Sequence, residues 1–86
     1  MGKGYLRDPA SVPQSVTMRQ ARLALLQSGM LASVNAAVAA ADETTKITWE
    51  FSGEVQRNNA LVSTLAAELS MTDAQIDDLF RLAATL

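Results

Sequence analysis

From residue 17 onward, apolar positions recur mostly at spacings of three and four, which predicts a run of short helices. Thr17-Met-Arg-Gln20 has the form of a capping box. In such a box the threonine hydroxyl accepts from the third helical amide while the glutamine reaches back to the cap. A first helix is expected from Met18 to Gln27, ended by Gly29, which suits the left-handed position after a helix. A second is expected from Leu31 to Ala41, with Leu31, Val34 and Val38 on one stripe. One continuous helix through Gly29 is the alternative, at about 1 kcal/mol relative to alanine, and the break is preferred. Asn58 or Asn59 can cap a further helix that buries Leu61, Val62, Leu65 and Leu69 and stops at Ser70. Thr72-Asp-Ala-Gln75 is a second capping box, with Asp73 placed against the positive end of the helix. The last helix buries Ile76, Leu79, Phe80 and Ala83. Asp77 and Arg81 are four apart and are expected to pair.

One segment reads both ways. Thr45, Ile47, Trp49 and Phe51 alternate with Lys46, Thr48 and Glu50, which is strand periodicity. As a helix, the same residues put Ile47, Phe51 and Val55 on one face. A lone strand would leave backbone groups unpaired, and no second strand-like run is evident, so a helix over 45–56 is expected. Trp49 then points away from the Ile47-Phe51-Val55 stripe. Residues 1–16 hold Gly2, Gly4, Pro9 and Pro13. They read as an extended arm without regular structure, with Tyr5 and Leu6 as anchors to the body or to a neighbour. The expected architecture is all-α: a compact bundle of four to five short helices over residues 17–86, preceded by that arm.

Composition narrows the chemistry. Eighty-six residues make one domain. A chain of this size buries roughly 60–65% of its unfolded surface, so its stability margin is thin, and a partner or a second copy can complete its apolar surface. The absence of cysteine excludes disulfides and thiolate metal sites, and the absence of histidine removes the commonest metal ligand and general base. Residues 1–22 carry four basic groups against one acid, and residues 23–86 three against eight. This division reads as a solvated surface, as head-to-tail contact between copies, or as a basic arm docking on an acidic partner. Met18 to Ala41 imitates a signal peptide, but Gln27, Ser28, Gly29, Ser33 and Asn35 interrupt it and it starts well inside the chain, so an amphipathic helix is expected. No stretch approaches the roughly 20 apolar residues that span a bilayer.

Leu65 to Phe80 imitates a helix-turn-helix, whose second helix would enter the major groove. That helix carries Asp73, Asp77 and Asp78 against Arg81. Its charge opposes phosphate, and nucleic acid is not the expected partner. The carboxylate pairs Asp73/Asp77 and Glu50/Glu54 offer two acids on a solvated face, short of the converging oxygens a hard cation needs. Lys3, Lys46 and Arg81 stand alone, and no histidine activates a serine or threonine. No enzyme activity, catalytic residue, metal or cofactor is expected. Trp49 with Arg57 has the composition of a binding hot spot; the other reading makes Trp49 the plug of a small core.

Three stretches carry a resemblance: Val16 to Gly29 with Val34-Asn-Ala-Ala-Val38; Ile47-Thr-Trp-Glu-Phe51 with Glu54-Val-Gln-Arg57; and Leu61 to Leu69 followed by Thr72 to Phe80 and Ala83-Ala84. In these the chain resembles a family of small proteins encoded beside tail and tail-fibre genes of bacteriophages and prophages. Members of that family often carry Gly-Leu where this chain has Ser70-Met71, and lack a glycine at the position of Gly53. The resemblance implies a noncatalytic phage tail protein, as a structural component near the fibres or a helper in assembling them. It places the chain in the virion tail, or in the host cytoplasm during assembly. The expected partner is a phage tail or tail-fibre protein, with self-association also open. The expected contact surface is Tyr5, Leu6, Trp49, Arg57, Leu82 and Leu86. The rival is a small regulatory protein of helix-turn-helix type that binds nucleic acid or a host regulator. A toxin-neutralising or inhibitory protein with a basic target is a third reading.

Overall fold

A computed structural model describes residues 12–86. Its elements run β1 (Ser15–Thr17), α1 (Met18–Gln27), α2 (Leu31–Ala39), α3 (Glu43–Phe51), β2 (Glu54–Gln56), α4 (Ala60–Leu69) and α5 (Asp73–Ala83). Five short helices and one two-stranded ladder make a mostly helical bundle. Four of the five helices begin at a side-chain cap; α2 begins at Met30 without one. Thr17 and Thr72 each accept from the third amide of their helix, and Gln20 and Gln75 accept in return from the cap backbone. Asp42 caps α3 by accepting from the Thr45 amide, and Asn59 caps α4 by accepting from the Leu61 amide. These side chains satisfy amide donors that the first turn of a helix leaves without a carbonyl.

Two helices end in the same way. After α1, Met30 N donates to Leu25 O at 2.8 Å and Gly29 N to Leu26 O at 3.1 Å, with Gly29 at φ 74°. After α4, Met71 N donates to Ala66 O at 2.9 Å and Ser70 N to Ala67 O at 3.4 Å, with Ser70 at φ 56°. Both are left-handed C-terminal motifs. The break at Gly29 and the stop at Ser70 therefore stand, with serine doing at the second corner what glycine does at the first.

The segment after Trp49 differs from expectation. The helix does not run to residue 56: α3 stops at Phe51, Ser52 turns extended (φ −76°, ψ 133°), and Glu54–Gln56 forms a strand. Its partner is the stretch read as the end of an irregular arm. Ser15 pairs with Gln56, Val16 with Val55 and Thr17 with Glu54, antiparallel. The ladder is extended at its ends by Met18 N donating to Gly53 O and Arg57 N donating to Gln14 O. Pairing resolves the cost of unsatisfied backbone that weighed against a strand. It also turns Val16 and Val55 inward while their neighbours stay exposed, the alternation a strand imposes. Val12 is buried too, so the folded body begins before residue 17.

The core is built from Val16 and Val55 of the ladder, Ala24 and Leu25 of α1, Val34 and Val38 of α2, Trp49 of α3, Leu61 and Leu65 of α4, and Ile76, Phe80 and Ala83 of α5. α1 lies along α5. α2 packs on α4 and α1, and α3 packs on α2 and α4. The consecutive helices α4 and α5 are not among the closely packed pairs; each rests on other elements.

Candidate functional site

Trp49 decides which way α3 faces. The residue is 7% exposed and belongs to the core. Arg22 of α1 lies over the ring, its guanidinium carbon 4.5 Å from the centroid, and Arg22 Nη2 donates to Trp49 O at 2.6 Å. A cation over an indole face is attracted by the ring quadrupole, most strongly where water is excluded. Among the described residues, Arg22 Nε has no hydrogen-bond partner. The cation on Trp49 is thus Arg22, not Arg57, and the open choice for Trp49 falls on the core.

Residues two positions either side of Trp49 stand about 200° round the helix from it. Ile47 and Phe51 are those residues, and they face out at 55% and 79% exposed. The expected buried stripe Ile47-Phe51-Val55 is therefore inverted. Val55 is buried from a strand, and the other two form an outward apolar pair one turn apart. Two causes account for this. The indole offers more apolar area than any other side chain on the segment. Ending α3 at Phe51 also frees Val55 to reach the core without carrying Ile47 and Phe51 in with it. Glu43 and Glu50 are exposed on α3 beside that pair, and Lys46 pairs with Glu43 at 3.6 Å. A third exposed large apolar side chain, Leu26 at 60%, stands on α1.

Arg57 has a different task from the one expected. Its Nε donates to Asp77 Oδ1 at 2.8 Å and its Nη2 to Asp73 O at 3.4 Å, with the side chain 19% exposed. It ties the end of the ladder to the first turns of α5. Asp77 thereby leaves Arg81, and the expected Asp77–Arg81 pair is replaced by Arg81 with Asp78 at 2.9 Å. Asp77, partly buried, is reached by a cation arriving from another element, while Asp78 points outward toward Arg81. Leu82 and Leu86 are partly buried against the core; Leu86 O also accepts from Arg19 Nη1 at 3.3 Å. Tyr5 and Leu6 lie outside the described residues. Of the four described residues expected at a contact surface, Trp49 is core, Arg57 is an internal tie, and Leu82 and Leu86 are partly buried; the exposed apolar pair on α3 is Ile47 and Phe51. The helical spacing in the sequence already sets Trp49 opposite Ile47 and Phe51; the side the fold buries is that of Trp49.

The helix-turn-helix resemblance is one of connection. α5 turns Ile76, Phe80 and Ala83 inward and lies along α1. Its outward residues include Asp73, 96% exposed at its side chain, and Asp78 at 75%. The Asp42 carboxyl is held below its ordinary range, by the Thr45 amide first and the Thr45 hydroxyl second. Among the described residues no three metal-ligating side chains converge, and no helix is long and apolar enough to cross a membrane. No protein-family model matches the chain, and neither a curated protein nor a solved structure does.

Proposed function

We propose that the chain is a noncatalytic protein-binding module of a phage tail, a structural component or assembly factor that docks through the outer face of α3. The observation that carries this reading is the pair Ile47 and Phe51, one turn apart and 55% and 79% exposed on a helix whose opposite side holds the core tryptophan. Two large apolar groups in register on a helix are the anchor pattern by which helices enter grooves on other proteins. Exposed Glu43 and Glu50 beside them suit a partner whose apolar groove has a basic rim. The phage tail setting, in the virion or in the host cytoplasm during assembly, rests on the sequence resemblance.

The test is co-expression with the products of adjacent tail and tail-fibre genes, comparing the native chain with the double variant Ile47→Ser, Phe51→Ser. The native chain is expected to co-elute with one of them on size exclusion. The double variant is expected to lose that complex with its helical circular dichroism unchanged. Complex formation indifferent to the double change overturns the α3 surface. Binding to duplex DNA that weakens steeply with salt favours the regulatory alternative over the tail reading.

A further inference from the structure

An apolar pocket of about 80 Å³, half-open to the surface, lies between α4 and α5. Leu65 and Ala66 of α4 form one wall and Phe80 and Ala83 of α5 another; Ala24 of α1 and Trp49 of α3 also line it. Three of these six side chains are single methyl groups. α4 packs on α2 and α3, and α5 on α1 and β1.

We propose that this cavity is a binding site for one small, uncharged, apolar guest, smaller than benzene. Water fits by volume, since one molecule needs about 10–15 Å³, but it also needs two to four polar partners, and the side chains lining the cavity are all apolar. An engineered cavity of about 150 Å³ with aliphatic and aromatic walls stays dry and takes up benzene or xenon. Half that volume suits xenon or a guest of a few carbon atoms. Dispersion selects for a guest in contact with all the walls at once. Half-buried Val62, Leu69, Met71 and Leu79 also border the space. The pocket is half-open, so a guest can enter past these residues. The site is independent of the α3 face and stands or falls separately from it.

Xenon is the probe, read by methyl NMR on the whole chain. Xenon pressure is expected to shift the methyls of Ala24, Leu65, Ala66 and Ala83 with a saturating dependence, at least fivefold more than that of the exposed Ile47. Ala66→Leu places three carbon atoms into the space from a half-buried position. It is expected to cut the xenon shifts of the remaining wall methyls at least fivefold and to raise the thermal midpoint. Ala21→Leu does the same from the α1 side. Shifts spread evenly over the surface overturn the proposal, as do shifts that survive both substitutions. Loss of the folded state in both variants means the walls are already in contact, and that too overturns it.

Discussion

Ser70 is the residue where a local rule is broken to keep the chain's path. An L-residue in the left-handed region crowds its Cβ against the following carbonyl, at roughly 1–2 kcal/mol, which glycine avoids at some cost in unfolded-state entropy. Gly29 holds the matching position after α1 at φ 74°, and Ser70 holds it after α4 at φ 56°. Ser70→Gly is therefore expected to stabilise the fold by about 0.5–1 kcal/mol, read as a higher urea midpoint with unchanged slope; a lower midpoint refutes the strain argument. Trp49 is the opposite case, a residue whose removal the fold cannot absorb. Trp49→Ala takes away a core ring and strands the Arg22 guanidinium stacked on it. The expected loss is about 3–5 kcal/mol, visible as lost helical circular dichroism well below the native midpoint. Retained helix content with weakened partner binding would instead make Trp49 an interface residue.

At the scale of elements, the caps were legible and the ladder was not. A capping box is written in four consecutive residues, so Thr17–Gln20 and Thr72–Gln75 declared α1 and α5 without knowledge of anything distant. The ladder joins residues far apart in the chain, Val16 with Val55 at its centre. Each strand is three residues long, too short for alternation to stand out from chance. Its register rests on Val16 meeting Val55, which neither segment states alone. That one hidden pairing shortened α3, and with it went the expected buried face of Ile47 and Phe51. The cap of α3 carries its own pH dependence. The Thr45 amide and hydroxyl hold Asp42 below its ordinary value in the folded state. Its contribution is thus present above the unfolded value and is lost as pH falls through the lower, folded one. Acid is expected to fray the first turn of α3, with a lower exchange protection factor (relative to the intrinsic rate at each pH) at the Thr45 amide below the ordinary aspartate range. Asp42→Asn keeps a capping acceptor and is expected to abolish that dependence; a dependence that persists in the variant would place its origin elsewhere.

Across the whole molecule, the body is closed by residues that composition assigned to an arm. Pro13 and the neighbouring polar residues argued for irregular chain up to residue 16, yet Val12 and Val16 are each 4% exposed and the ladder runs through Ser15–Thr17. Arg57 then fastens the other strand's end to α5 through Asp77. The bundle is thus held at that end by chain segments from both sides of α1, α2 and α3. This matters because a domain this small has little stability to spare, with native domains in general standing only about 5–15 kcal/mol above unfolding. Burying a valine side chain contributes about 1.5–3 kcal/mol. A chain cut to begin at Met18 forfeits two such valines, the strand pairing and the Thr17 cap. It is expected to lose about 3–6 kcal/mol from the valines alone, enough to move the urea midpoint toward zero. The double change Val12→Ser, Val16→Ser in the full chain isolates the apolar part of that loss. If the cut chain instead unfolds cooperatively at the native midpoint, the ladder is an ornament on a bundle that closes without it.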